Sequence, residues 1–388
     1  MQVGEPVAVL PAVAPPPDSE FAAELLSITF KSGIKVSHLR KPIEGPHWEK
    51  GEESALVDLW SRLGKLLNLP LVPYSKRPAV YLVTGLGGPY EVQVRLKITK
   101  SKNVSGEARL IGSLRGISIE GTCLSSVGEH TVSACIANPP DELHACRGRL
   151  TWRLEVDATP ISASLGSTFV EVYFILGRPG FRYRNGVWVE VLRLLFGRVG
   201  VAGNDPNAVI AAITTYCHSG HGLRYETHKG KARYGVVHKG GVFKLADYLL
   251  KMRKDCNCYD QAAAVQSLAS AVGVASVWQF LDPFGFIRPT NLVGVGLCNN
   301  PFFGENESLK LVAPDSHRRT AFGNHAFAVT LDWKAVDACA KPHLAIETIP
   351  EYLADSIDDT PSLYRFYGKF RPGQPTDVRP KLGVVAVE

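Results

Sequence analysis

The chain has no run of residues fit to cross a membrane as a helix. Its longest uncharged stretch near a predicted helix, Gln261 to Leu281, carries three glutamines and three serines, which suits a helix buried in protein rather than lipid. A strong charge of either sign is also missing: 43 Lys and Arg stand against 37 Asp and Glu, a net +6 that makes no strong demand for nucleic acid. The N-terminus, MQVGEPVAVLPAVAPPPDSE, has an early Glu5, no basic start and repeated prolines, so it does not read as a secretory signal. It reads instead as a polyproline-leaning arm over 1–20. Internal repeats are absent, and so are a phosphate-binding P-loop, a G-x-S-x-G elbow and a C-x-x-C pair. Gly294-Val295-Gly296 lacks the third glycine and the strand–helix setting of a dinucleotide loop.

What is present is a globular composition: 45% apolar and 21% charged residues over 388 positions, enough for two or three domains with real cores. Thirty-six glycines and 26 prolines point to many turns and a β-rich half. The eight cysteines are scattered, and with no export signal the expected setting is cytoplasmic, with reduced thiols. Any special cysteine is then catalytic before it is structural.

Periodicity divides the chain. Residues 21–75 hold a short alternating strand, Ile28 to Val36, and an amphipathic helix over Glu52–Asn68 with Leu56, Leu59, Trp60, Leu63 and Leu67 on one face. Over 76–180 the period is two. VYLVTG, EVQVRLKITK, GEARLIGSL, GISIEGTCL, HTVSACIA, GRLTWRLEVD and TFVEVYFIL alternate between turn residues and predict an antiparallel β-sandwich of about seven strands. Residues 181–388 mix helices over 187–196, 207–217, 244–254 and 259–272 with later strands, an α+β pattern.

The chemistry concentrates in Asp255-Cys256-Asn257-Cys258-Tyr259-Asp260-Gln261-Ala262. Asn257 is a good N-cap with Asp260 three residues on, and Gly273 supplies a stop, so Cys258 opens a buried helix. Unpaired N–H groups and the helix dipole there favour a thiolate. Asn324-His325-Ala326-Phe327-Ala328-Val329-Thr330-Leu331 alternates as a strand and returns after Asp332-Trp333 as Ala335-Val336-Asp337-Ala338. In a hairpin centred on Leu331, His325 and Asp337 stand opposite each other on one face. Cys258, His325 and Asp337 thus offer a nucleophile, a base and a group to orient the base.

These blocks resemble the transglutaminase-like superfamily of cysteine enzymes, which includes transglutaminases, peptide N-glycanases and related peptidases. Cys258, Asp260 and Ala262 match C-x-D-x-A, and Gly273-Val274 matches the G-[IV] that follows at the same spacing. His325-Ala326-Phe327 matches H-[AVT]-[FW], and Asp337-Ala338 matches D-[AP]. The likeness spans about residues 200 to 345. It departs at Asn257, where the family usually has Gly or Trp, in a short segment between His and Asp, and in lacking an acidic cluster like the calcium sites of animal transglutaminases.

The resemblance implies a papain-like Cys-His-Asp domain after the sandwich. In it Cys258 attacks an amide carbonyl to form a thioester, His325 moves the proton and Asp337 holds the imidazole. The acceptor is water or an amine, making the enzyme a hydrolase, a peptidase or a transamidase. The oxyanion would meet the Cys258 N–H and a second donor, for which Tyr225 and Tyr234 are the candidates by sequence distance. No cofactor and no metal is implied. The alternatives are an inactive binding or scaffold protein of the same fold and an amide-forming acyltransferase on a small molecule.

The partner expected is a peptide, protein or small-molecule amide, with no nucleic acid and no membrane; substrate-binding residues and oligomeric state stay open. Nine Lys and Arg against two acids over 224–254 would suit an acidic substrate, or simply a solvated surface. Cys217, His218, His221, His228 and His238 match no standard zinc spacing.

Overall fold

A computed structural model describes residues 20–39, 41–52, 74–88, 90–156, 161–360 and 379–388. The arm expected over 1–20 and the helix expected over Glu52–Asn68 fall on 1–19 and 53–73, outside the described residues. What is described is a mixed α+β chain, rich in strands and poor in helices.

The first half forms one large sheet. Its strands are β1 (Phe21–Phe30), β2 (Trp48–Glu49), β3 (Ala79–Leu82), β4 (Glu91–Ser101), β5 (Glu107–Leu114), β6 (Ile117–Leu124), β7 (Gly128–Ile136), β8 (His144–Val156) and β9 (Ser162–Ile175). Their order is β2-β1-β4-β7-β6-β5-β8-β9-β3, antiparallel throughout except for the parallel pair β9–β3. All seven alternating segments fall on strands β3 to β9. The two further strands come from the N-terminal segment, where the strand expected at Ile28–Val36 begins earlier, at Phe21. Alternation sets the faces: Val92, Val94, Leu96 and Ile98 of β4 are fully buried, while Arg95 and Lys97 between them are exposed. The inward residues of this sheet make one core, closed around Trp152, whose indole donates to Thr168 Oγ1 at 3.0 Å.

A second core lies in the other half. Helices α1 (Val189–Leu194), α2 (Pro206–Thr215), α3 (Leu245–Leu249), α4 (Cys258–Ala271) and α5 (Ile349–Ser356) surround a five-stranded antiparallel sheet. Its strands are β10 (Val277–Leu281), β11 (His325–Val329), β12 (Lys334–Asp337), β13 (His343–Thr348) and β14 (Arg379–Lys381), in the order β13-β12-β11-β10-β14. The helix expected over 244–254 is shorter, because Lys251 turns into the left-handed region at φ 53° soon after α3.

Helix α4 is the axis of this half. Every residue but Tyr259 is buried, and its run of alanines and serines lets neighbours approach from all sides. Its buried amides are satisfied: Gln261 donates to the Cys217 carbonyl at 2.9 Å and accepts from Tyr248 at 2.7 Å, and Gln266 accepts from Val384 N at 2.9 Å. The helix stops at Gly273, whose φ of 80° excludes ordinary side chains. A Cβ there would lie 2.3 Å from the backbone of Gly177, where the chain leaves the large sheet. The Leu176 N–H donates to the Val272 carbonyl at 3.1 Å, so the end of β9 is tied to the end of α4.

Candidate active site

Cys258 occupies the first position of α4, after Asn257, whose side chain accepts the Asp260 N–H at 3.1 Å while Asp260 accepts the Asn257 N–H at 3.1 Å. This reciprocal cap is the one expected from sequence. Asp260 does more than cap. Its carboxylate also accepts from Arg233 N at 2.9 Å and Tyr234 N at 3.0 Å, and the Asn257 amide donates to the Gly230 carbonyl at 2.8 Å. The loop over 226–234 is therefore pinned across the start of the helix. Burial pushes the Asp260 carboxyl up to about 6, against the pull of those three N–H groups.

His325 and Asp337 lie on the hairpin β11–β12, but in a register different from the expected one. Ala328 pairs with Val336 and Val329 with Ala335, so the hairpin is centred on Asp332 rather than Leu331. Thr330 and Lys334 close the turn, with Trp333 at φ 64° and Thr330 Oγ1 capping from both sides. Asp337 is thereby diagonal to His325 instead of directly opposite. A shift of two keeps the face of the sheet, so both side chains still point the same way. His325 Nε2 lies 2.9 Å from Asp337 Oδ2, and both residues are buried.

The carboxylate is held on all sides. Tyr352 of α5 donates to Oδ2 at 3.0 Å, and the Cys339 N–H donates to Oδ1 at 2.7 Å. Burial works against charge on His325, yet the Asp337 carboxylate and then the neighbouring Cys258 outweigh it and raise the imidazole to about 10. Burial likewise opposes ionisation of Asp337, and the His325 charge beside it holds the carboxyl below its ordinary value. His325 Nδ1, buried, makes no hydrogen bond among the described residues. The fold thus brings Cys258, His325 and Asp337 together.

The two tyrosines separate. Tyr234 donates to the Arg253 carbonyl at 2.6 Å and is spoken for. Tyr225 is buried; burial first, then proximity to Cys258, pushes its phenol well above the ordinary range. Aromatic rings close the surroundings: Phe284 lies 4.6 Å and Phe322 5.6 Å from the His325 ring, and Phe322 stands edge-on to Tyr225. Cys258 is only 3% exposed. A cavity of about 320 Å³ opens on the His325–Asp337 edge, lined also by Tyr352, His343, Arg288 and Lys341; Cys258 is not in its lining.

Two of the histidines near Cys217 are tied into the core. His221 bonds to Tyr216 and to the Tyr248 carbonyl, and burial lowers it to about 4. His218 contacts the Ala338 carbonyl and Asn291. Elsewhere His343, Glu347 and Asp355 bring possible ligand atoms within 4.8 Å of one another, but Lys341 already pairs with Asp355 at 2.7 Å and His343 with Glu347 at 3.0 Å. The basic stretch is partly neutralised, Arg224 by Glu307 and Arg233 by Asp255.

Sequence reasoning missed Tyr352. The T-x-x-E cap of Thr348 and Glu351 was there to announce α5, but nothing in the pattern linked its second turn to Asp337. It also missed Arg319, which is fully buried and reaches Asp358 at 2.6 Å and the carbonyls of Asn299 and Pro314, fastening the segment before His325.

No protein-family model matches the chain, and no curated protein matches it. Among solved structures it is similar to red sea bream transglutaminase, at 11% identity and a TM-score of 0.32, over 68% of this chain and 49% of that one. The chain thus spans about half the length of that protein. Among the described residues no helix is long and apolar enough to cross a membrane.

Proposed function

We propose that the chain is a cysteine acyl-transfer enzyme acting on amide bonds of a peptide or a glutamine side chain. Cys258 is its nucleophile, His325 its proton carrier and Asp337 the group that positions the imidazole. The observation that carries this reading is the buried His325–Asp337 pair, 2.9 Å apart, beside a cysteine at the first turn of α4. Nothing in packing alone calls for a buried ion pair and a helix-start cysteine in one place.

With Nε2 committed to Asp337, Nδ1 is the ring nitrogen left for the thiol proton. An imidazole held up to about 10 keeps that proton at neutral pH. The Sγ–carbon bond then forms as the carbonyl π pair moves onto oxygen. When the tetrahedral intermediate collapses, the carbon–nitrogen bond breaks and the imidazolium gives its proton to the departing amine. The neutral imidazole next takes a proton from water or an acceptor amine, which attacks the thioester and releases Cys258. The Cys258 N–H, at the first helical position and so without an intrahelical acceptor, and the Tyr225 hydroxyl are the proposed oxyanion donors.

A second reading, an inactive binding protein, is favoured by the 3% exposure of Cys258. Alkylation by iodoacetamide at pH 6 to 7, mapped by mass spectrometry, separates the two. For an enzyme, Cys258 labels ahead of the other buried cysteines and His325→Ala slows it at least tenfold. For a binding protein, Cys258 labels at the rate of its buried neighbours, and His325→Ala leaves that rate unchanged.

A further inference from the structure

A second cavity, of about 450 Å³, lies far along the sequence from the cysteine site, where the large sheet meets the first helix of the other half. Its walls come from the β5–β6 turn, the start of β8, the last part of β9, and the end of α1 with the turn after it. The register of β8 and β9 sets Ala145 against Tyr173 and Arg147 against Glu171, so these four residues share the face that looks toward α1.

The floor is polar, and its carboxylate is matched. Glu171, buried, accepts from Arg193 Nε at 2.9 Å and Nη2 at 2.6 Å, from the Ser75 N–H at 3.0 Å and from the Tyr173 hydroxyl. Arg193 neutralises that carboxylate within the floor. The rim is basic and unmatched: Arg115 and Arg147 are exposed and have no ion-pair partner among the described residues, and His144 stands beside them. Arg147 is positioned over the Tyr74 ring at 4.8 Å, with Arg193 also over it at 4.3 Å. Phe196, Leu114 and the Tyr173 ring supply flat apolar wall.

Two guanidiniums without an ion pair among the described residues, above an apolar wall, suit recognition of an oxyanion on a flat body. The volume is within the range of small-molecule sites, roughly 300–1,000 Å³. We propose that this junction cavity binds a small planar molecule bearing a phosphate or carboxylate, with Arg115 and Arg147 gripping the anion and Phe196 and Tyr173 packing on the ring. Such a ligand would clamp the large sheet to the turn after α1, and its binding is independent of the chemistry at Cys258.

The test uses the full chain and four probes: phenyl phosphate, benzoate, inorganic phosphate and phenol. Calorimetric titration and thermal melting are both read, since a ligand of the native state raises the melting temperature by mass action. Phenyl phosphate or benzoate binds saturably with a Kd on the order of 1 mM or tighter, as suits a probe of so few atoms, while phenol does not bind. Which of the two binds more tightly distinguishes a phosphate from a carboxylate ligand, and inorganic phosphate reports the anion subsite alone. Arg115→Ala and Arg147→Ala each weaken binding at least fivefold and together at least thirtyfold; the unliganded melting temperature is unchanged in Arg115→Ala, an exposed side chain, while Arg147→Ala also gives up its contact with the Tyr74 ring. Should the double variant not fold, Arg115→Ala alone decides, since that side chain is exposed and makes no hydrogen bond or ion pair among the described residues. The proposal is overturned if no probe saturates by about 20 mM, or if a saturating probe binds the arginine variants as it binds the parent.

Discussion

Tyr352 donates at 3.0 Å to the same Asp337 oxygen, Oδ2, that lies 2.9 Å from His325 Nε2. One carboxylate oxygen therefore serves two partners, one from α5 and one from β11. Replacing Tyr352 with Phe removes one of them without opening a large cavity. The Asp337 charge is then less satisfied and leans harder on His325, so the His325 titration observed by NMR moves upward in the variant. Stability falls by about 1.5–3 kcal/mol in chemical denaturation, the scale of a hydrogen bond to a charged group.

Asp337→Asn keeps the shape and deletes the charge. Burial is the largest influence on His325, and without the carboxylate only the neighbouring Cys258 opposes it. The imidazole titration then moves down from its raised value. Turnover of an amide substrate, or the rate of Cys258 alkylation at pH 7, is expected to drop by roughly 10²–10⁴. An unchanged rate would show that Asp337 has no part in the chemistry.

The ion pair sets a pH window for stability. His325 is raised above its unfolded value of 6.5, so its contribution is complete below 6.5 and is lost as pH rises through about 10. Asp337 is held below its unfolded value of 3.8, so its contribution is present above 3.8 and is lost on further acidification. The stability difference between the parent and His325→Gln, measured by urea unfolding across pH, should be widest between about pH 4 and 6.5, shrink as pH rises from 6.5, and be gone by about pH 10. A difference that stays flat to pH 11 would mean the imidazole is not charged in the fold.

Gly273→Ala is expected to cost more than the removal of any surface contact. The φ of 80° and the Gly177 backbone 2.3 Å from the added carbon act together. A loss of about 3 kcal/mol or more in urea unfolding is the expected result.

Arg319→Met leaves Asp358 buried without its cation and takes away the donors that hold the Asn299 and Pro314 carbonyls. Breaking one side of a buried pair costs about 3–5 kcal/mol. Limited proteolysis should cut the variant first within residues 300–320, before the large sheet is touched.

Much of this was legible in the chain. The capping pattern from Asn257 to Asp260, the alanine-rich helix and the stop at Gly273 are local, and local propensities place them without help from the rest of the fold. The seven alternating segments of the large sheet were equally plain, since a half-buried strand writes its period into the sequence. The hairpin register was not. Both centres, Leu331 and Asp332, give the same parity, and the choice rests on Thr330 and Lys334 closing the turn with Trp333 in the left-handed region. Contacts between distant segments left no trace at all: neither Tyr352 on Asp337 nor Arg319 on Asp358 has a periodicity to betray it. The strand Phe21–Phe30 was placed late because its pairing with β4, seventy residues away, decides its ends.

The carriage of His325 and Asp337 on one hairpin has a geometric result. Their separation is set by a five-residue reversal of the chain and survives any movement of the hairpin as a unit. What is then left to adjust is the placement of the start of α4 against the face of β11. A motion that slides this helix end along the strand would switch the thiol in or out of register with its imidazole while leaving the imidazole's own partner untouched. The assembly of three groups reduces to the docking of two rigid pieces.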